Sequence, residues 1–245
     1  MIETVVVPGA VVAAGAAAGA WLYGAPMAAR RGAVAKLAAH CAATNSLALT
    51  YDDGPGAALT PQVTELLASH DARATFFLLG RRAETSPSVA DMVKRAGHEI
   101  GCHAHEHVHA WKAAPWASAR DASHGFDTLE RWLPKPCLFR PPYGKATSLS
   151  VRAAKRHRAR LGWWTIDSGD TCEQLPTVDS VRDRVQRAGG GVVLLHDFDR
   201  DDDDATARSA FVLDVTRSLL ELASERQWRV RPLGELMDEM ENQST

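Results

Sequence analysis

The sequence predicts an α/β fold in which parallel strands alternate with helices, because short apolar runs recur with helix-like patterns between them. Polar and ionisable side chains follow several of these runs, as expected at the carboxyl ends of the strands of a (β/α) barrel. About seven such units fit the chain beyond its N-terminus. The runs lie at 46–51, 74–79, 97–101, 137–140, 161–166, 191–196 and 228–233.

Length and composition are consistent with one barrel-sized domain. The chain has 245 residues, 45% of them hydrophobic, and a formal net charge of −2. A nearly neutral chain gives no reason to expect nucleic acid as a partner. The cysteines are widely spaced, without a paired-ligand pattern such as C-x-x-C, and they say little about redox compartment.

Residues 1–37 form an apolar N-terminal segment, which we predict to precede the main domain at 38–245. No charged residue occurs at 4–29, a stretch long enough to span a hydrocarbon core of roughly 30 Å. A membrane anchor is favoured, although Ala and Gly are weakly apolar and Pro8 interrupts the run. A signal, a buried helix and a disordered leader are the alternatives. Because Glu3 precedes the run and basic residues follow it, the positive-inside rule places the main domain in the cytoplasm.

The first strand-like run ends in two adjacent carboxylates, Asp52 and Asp53, within the sequence T-Y-D-D-G-P at 50–55. Two adjacent carboxylates repel each other and lose hydration near an apolar strand end. Such a pair therefore usually holds a metal, or its two members have different chemical roles, or both. A simple turn is the alternative. Thr60 followed by Pro61 then predicts a helix start, with a capping residue and proline at the first helical position.

The second polar cluster is rich in histidine. His103 and His107 are four residues apart, and so are His105 and His109. On a helical turn either pair would place two imidazoles on one side, where they could share zinc or a similar divalent cation. Spacing alone leaves the register open, and a solvated loop is the alternative.

Three further clusters follow strand-like runs. The sequence F-R-P-P-Y-G at 139–144 is a rigid loop that could aim Arg140 at a carboxylate and present backbone N–H groups. The runs ending at Asp170 and at His196 also finish in ionisable side chains. One such strand end is usually structural, whereas several in one chain predict an active site.

Taken in order, these clusters resemble the polysaccharide deacetylase family, also called the NodB-homology domain or carbohydrate esterase family 4. The resemblance covers about Ser46 to Met237 and settles the histidine register, since G-H-E-I-G at 97–101 leads to His103 and His107. It implies a distorted (β/α)7 barrel with a single catalytic domain. The implied activity is removal of N-acetyl groups from oligo- or polysaccharide containing N-acetylglucosamine. Many members of this family look like extracytoplasmic enzymes, whereas the positive-inside rule places the main domain of this chain in the cytoplasm.

The resemblance also implies a metal site and a base. Asp53, His103 and His107 would hold a divalent metal, with zinc favoured and cobalt, manganese or nickel as alternatives. Three protein ligands leave positions for water and substrate. Asp52 would be the general base that takes a proton from the attacking water, and Arg140 would fix the orientation of Asp52.

Further roles follow for the later clusters. His196 would be the general acid that protonates the departing amine, and Asp170 would hold His196 protonated. The backbone N–H of Tyr143 would donate to the oxyanion. The predicted substrate-pocket residues are Leu194, Thr171 and Pro141.

Two positions depart from the family pattern. Ala104 stands where Ser or Thr is usual, and Thr171 where tryptophan is frequent. Thr171 keeps a second function open, hydrolysis of another non-peptide C–N bond in a small amide or cyclic imide. A catalytically silent glycan- or metal-binding protein is a third. The acidic run at 199–204 is interpreted as a solvated loop, with attraction of a cationic, deacetylated glycan as an alternative.

Overall fold

The computed structural model describes residues 15–201 and 204–243. The strands in this part of the chain are β1 (Ser46–Asp52), β2 (Thr75–Leu78), β3 (Glu99–Cys102), β4 (Cys137–Phe139), β5 (Ala159–Leu161), β6 (Ile166–Asp167), β7 (Gly191–His196) and β8 (Arg229–Val230). Seven of them follow one another in the order β5-β4-β3-β2-β1-β7-β6, and β8 pairs with the start of β1. All pairings are parallel. The predicted α/β fold with a distorted seven-stranded barrel is confirmed.

The helices lie between the strands, as the alternating pattern predicts. Their bounds are α1 (Ala25–Thr44), α2 (Leu59–Ser69), α3 (Gly80–Thr85), α4 (Pro87–Arg95), α5 (Pro115–Leu129), α6 (Ser148–Arg156), α7 (Val178–Ala188), α8 (Ala205–Glu225) and α9 (Leu233–Asn242). A π-helical turn at Ala20–Gly24 leads into α1.

Strand β1 shows how the sequence builds two cores. Side chains alternate along a strand, and every residue of β1 is buried. Leu47, Leu49 and Tyr51 join the main core under the surrounding helices. Ala48 points the other way and packs in a smaller core inside the barrel. A strand buried on both faces explains why this run is apolar without a break.

Helix α1 covers the inner face of the open barrel. In the described residues β5 and β6, the two ends of the strand path, do not pair with each other. Leu37 and Cys41 of α1 are buried in the inner core with Phe77 and Val192. The helix ends at Thr44 and is followed by Asn45, whose φ of 49° gives the left-handed conformation common after a helix. Helix α1, which precedes the first strand, thus contributes core residues to the barrel.

The predicted membrane-anchored placement is wrong. Within residues 15–201 and 204–243, no helix is both long and apolar enough to cross a membrane. Residues 4–14 of the predicted anchor lie outside the described residues. The end of the uncharged run starts α1, which carries three basic residues and buries Leu37 and Cys41 in protein. This helix also runs without a break through the predicted boundary between 37 and 38.

Two local predictions differ from the structure. The single strand predicted at 161–166 is two short strands, β5 and β6, joined by a connection that carries Trp163 and Trp164. Helix α2 begins at Leu59, before the predicted cap. Its first N–H groups donate instead to the carboxylate of Asp199, with Leu59 N 2.9 Å from Oδ1. Asp202 and Asp203 of the acidic run lie outside the described residues.

Candidate active site

A left-handed turn at the end of β1 brings two successive carboxylates to one cavity. Asp52 is the last residue of β1, and Asp53 has a φ of 68°. Successive residues of a strand point to opposite sides, and the turn at Asp53 removes that constraint. Both carboxylates therefore line the same cavity as His103 and His107.

Asp53, His103 and His107 form a group whose potential ligand atoms lie within 4.8 Å of one another. Asp53 Oδ1 is 3.4 Å from His103 Nε2 and 3.1 Å from His107 Nε2. This buried oxygen accepts no hydrogen bond from the described residues. Burial lowers the pKa of both imidazoles, that of His103 to about 3, so both are neutral near pH 7. A carboxylate and two neutral imidazoles fit a divalent cation.

The histidine loop is held by a carboxylate on α5 rather than by a helical turn. Residues 103–109 are irregular, with positive φ at Ala104 (71°) and His107 (65°). Asp121 accepts backbone N–H groups from this loop: Glu106 N lies 2.7 Å from Oδ1, and Val108 N lies 2.9 Å from Oδ2. Its Oδ1 also accepts from His105 N. The predicted helical turn is absent, and the loop backbone sets the histidine positions.

The alternative histidine pair points elsewhere. The ring of His105 stacks on His124 with centroids 3.6 Å apart, and its Nδ1 lies 3.2 Å from Thr128 Oγ1. The ring of His109 lies against Tyr143, with centroids 4.6 Å apart. His103 Nδ1–H donates to the Arg140 carbonyl oxygen at 2.7 Å, which leaves its Nε2 facing Asp53.

Asp52 is paired with a fully buried arginine. Arg140 Nη1 donates to Asp52 Oδ1 at 2.7 Å and to Thr50 Oγ1 at 2.9 Å, and its Nε donates to the Gly162 carbonyl at 3.1 Å. Asp52 Oδ2 faces the histidines, 3.7 Å from His103 Nε2. Burial raises the pKa of Asp52, and the charge of Arg140 opposes that shift. One carboxylate oxygen is therefore fixed and the other faces the cavity.

His196, at the end of β7, is held by the buried carboxylate of Asp170. Its Nδ1 lies 2.9 Å from Asp170 Oδ1, and its backbone N–H donates to Oδ2 at 2.8 Å. Burial alone would lower the pKa of His196, but the charge and hydrogen bond of Asp170 outweigh burial and raise it to about 9. The imidazole is therefore mostly protonated near neutral pH, as a general acid requires.

The loop after Arg140 exposes one backbone donor. Tyr143 has a φ of 57°, in the left-handed region. The next two N–H groups donate to the carbonyls of Pro141 and Pro142, at 2.9 and 3.0 Å. The N–H of Tyr143 has no acceptor among the described residues. Its ring lies 4.4 Å, centroid to centroid, from that of His107.

These groups surround one cavity of about 250 Å³. Leu194 and Thr171, two of the three predicted substrate-pocket residues, line it. Pro141 is buried in the adjoining loop and is not among the lining residues. Asp170 and Arg140 do not line the cavity. Asp170 contacts the lining residue His196, and Arg140 contacts the lining residue Asp52.

Several residues at the site carried no predicted role. Trp164 and Asp167 line the cavity, and both lie in the stretch of sequence that leads to Asp170. Asp121 has no signal in the sequence, because it lies on a different element from the loop it holds. Asp197 is fully buried, accepts from Thr60 Oγ1 at 2.6 Å, and packs against the backbone of Gly54. Burial raises the pKa of Asp197 to about 7.

Comparison with known proteins agrees with this geometry. A family model described as polysaccharide deacetylase matches residues 39–162. A peptidoglycan-N-acetylglucosamine deacetylase of Bacillus cereus is 35% identical over 171 residues, covering 68% of this chain and 79% of that protein. A chitooligosaccharide deacetylase of Azorhizobium caulinodans is 27% identical over 201 residues, covering 77% of this chain and 93% of that protein.

The fold is also similar to that of a solved structure. A crystal structure of a peptidoglycan N-acetylglucosamine deacetylase, bound to a hydroxamate-type naphthalenyl benzamide, superposes with a TM-score of 0.69. The match covers 79% of this chain and 88% of that one, at 24% identity. At that identity the similarity supports the fold and not the substrate.

Proposed function

The chain belongs to the polysaccharide deacetylase family, and from that premise we propose that it removes N-acetyl groups from glycans containing N-acetylglucosamine. One observation carries the proposal. A candidate base, a candidate acid and a metal-ligating group face the same cavity of about 250 Å³. The relatives named as peptidoglycan and chitooligosaccharide deacetylases support an N-acetylated glycan as the substrate class.

Asp53, His103 and His107 would hold a divalent cation. Within the described part of the chain, the buried Asp53 Oδ1 accepts no hydrogen bond, and it faces two imidazole Nε2 atoms, which is the arrangement a cation would satisfy. Bound there, the cation would acidify water and polarise the carbonyl oxygen of the substrate amide. Two imidazoles and one carboxylate favour zinc, with cobalt, manganese or nickel as alternatives.

Asp52 is suited to accept the proton of the attacking water. Its Oδ1 is held by Arg140, so its Oδ2 is the oxygen that faces the cavity. Arg140 itself is fixed by Thr50 and by the Gly162 carbonyl, which leaves the carboxylate little freedom to rotate. A general base held in one orientation needs no reorganisation when the proton moves.

His196 is suited to protonate the departing amine. Asp170 engages Nδ1, so the proton available for transfer is on Nε2. The N–H of Tyr143 would donate to the oxygen that becomes negative as water adds to the amide carbon. Leu194 and Thr171 would contact the acetyl group within the cavity.

The test is acetate release from N-acetylated chito-oligosaccharides by the full-length, zinc-loaded protein. We expect release that stops with a chelator and falls by about 10²–10⁴-fold in Asp52→Asn. Asp183→Asn, an exposed carboxylate on α7, is the control and should match the wild type. Absence of acetate from a protein that binds one metal ion per chain would reject the proposal.

Thr171 favours one alternative. It lines the cavity at the position where the family frequently has tryptophan. A change of pocket lining is what a different acyl group or a small cyclic amide would require. Screening such C–N substrates with the same protein distinguishes this second activity from a silent binding protein, which would bind metal and turn over none of them.

A further inference from the structure

One wall of the cavity is the indole of Trp164, in the connection between β5 and β6. The guanidinium carbon of Arg30, on α1, lies 4.6 Å from the centroid of this ring and 5.1 Å from that of Trp163. Arg140 also approaches the Trp164 ring, at 5.4 Å. The lining ring is therefore close both to α1 and to the arginine that holds Asp52.

Arg30 and Trp164 both pack against the loop that carries the Tyr143 N–H. A Cβ atom added at Gly144 would lie 2.5 Å from Trp164 Cη2 and 3.2 Å from the Cζ and Nη2 atoms of Arg30. Gly144 also has a φ of 61°. The guanidinium, the indole and the turn are thus in direct contact, so a shift of one moves the others.

The ring contacts are the interactions that hold Arg30. Among the described residues, the buried Nε of Arg30 has no hydrogen-bond acceptor. Its guanidinium instead stacks on the two indole rings. Arg30 lies before residue 39, where the family match begins, so this contact comes from the chain's own N-terminal helix.

We infer that Arg30 is a positioning residue, and that through Trp164 and the Gly144 turn it fixes the cavity to the size of an acetyl group. The inference rests on the proposed function for its substrate, and on the contacts alone for the positioning. If Arg30 is replaced, the indole gains freedom and the cavity admits a larger acyl group. A helix that only stabilised the fold would reduce turnover of all acyl groups alike.

The first experiment needs no activity. The {¹H}–¹⁵N NOE of the Trp164 indole is measured in the wild type, Arg30→Met, Arg30→Lys and Arg31→Met, with the signal assigned by Trp164→Phe. Arg31 is exposed on the same helix and is the matched control. We expect the NOE to fall in Arg30→Met, to fall less in Arg30→Lys, and to stay unchanged in Arg31→Met. An unchanged NOE in both Arg30 variants would overturn the inference.

The second experiment compares kcat/KM for N-acetyl and N-propionyl chito-oligosaccharides. We expect Arg30→Met to lose about tenfold of the wild-type preference for acetyl, and Arg30→Lys to retain part of it because the charge remains. Equal loss on both substrates would overturn the specificity role. A wild type that cleaves neither would reject the proposed function, and the NOE would still decide the positioning role.

Discussion

Replacing Asp170 with Asn should move the basic limb of the pH–rate profile to lower pH. Asp170 raises the pKa of His196 from 6.5 to about 9 against the opposing effect of burial. At pH 8 an imidazole with a pKa of about 9 is about 90% protonated, whereas one of about 6.5 is about 3% protonated. Burial then loses its main opponent, so the variant should lose about 30-fold or more in kcat/KM at pH 8, and the loss should shrink as pH falls.

The assay is acetate release across pH 5.5 to 10, with Asp183→Asn as a control for the loss of a carboxylate. A loss of the same size at every pH would refute this account of Asp170. The pKa of His196 is higher in the folded state, so its contribution to stability is fully present below about pH 6.5 and is lost as pH rises through about 9. The wild-type Tm should therefore fall over this range more than that of Asp170→Asn.

Three further predictions concern the metal group, the histidine loop and the N-terminal helix. Asp53→Ala should weaken zinc binding at least about 100-fold in a calorimetric titration while leaving Tm without metal nearly unchanged; unaltered affinity would exclude Asp53 as a ligand. Asp121→Ala leaves three loop N–H groups without their acceptor, so it should lower the free energy of unfolding by about 2–4 kcal/mol in urea and weaken zinc binding. Asp121→Asn, which keeps an acceptor oxygen, should retain much of the stability and much of the zinc affinity. Leu37→Ala should cost about 2–4 kcal/mol in urea because its side chain is 4% exposed; a cost below about 0.5 kcal/mol would show that α1 does not pack on the barrel.

The sequence predicted those features that depend on neighbours along the chain. The carboxyl ends of parallel strands meet at one edge, so the polar clusters ending in Asp52, Arg140 and His196 could be assigned to a common site before any contact was known. This assignment needs only the position of each cluster at a strand end, whatever the lengths of the helices between the strands.

The features that the sequence missed depend on distant contacts. Asp121 reads as an ordinary helical residue, and Arg30 reads as the flank of an apolar run. The apolar run suggested a membrane anchor by its composition, yet among its described residues, 15–29, only Pro26 is buried in the protein. The division of 161–166 into two strands follows from Gly162, whose carbonyl accepts from Arg140 instead of continuing a strand.

The position of α1 has a consequence for the order in which the chain folds. Its carbonyl at Cys41 approaches Gly190, immediately before β7, so the two ends of this contact are about 150 residues apart. Helix α1 leaves the ribosome before the strands on which it packs, and its docking surface is completed only after β7 has been synthesised. The entropy of closing so long a loop grows slowly with length, so this separation affects the folding rate more than the final stability. Until then Leu37 and Cys41 stay exposed, which makes the unfinished chain a candidate for chaperone binding during synthesis.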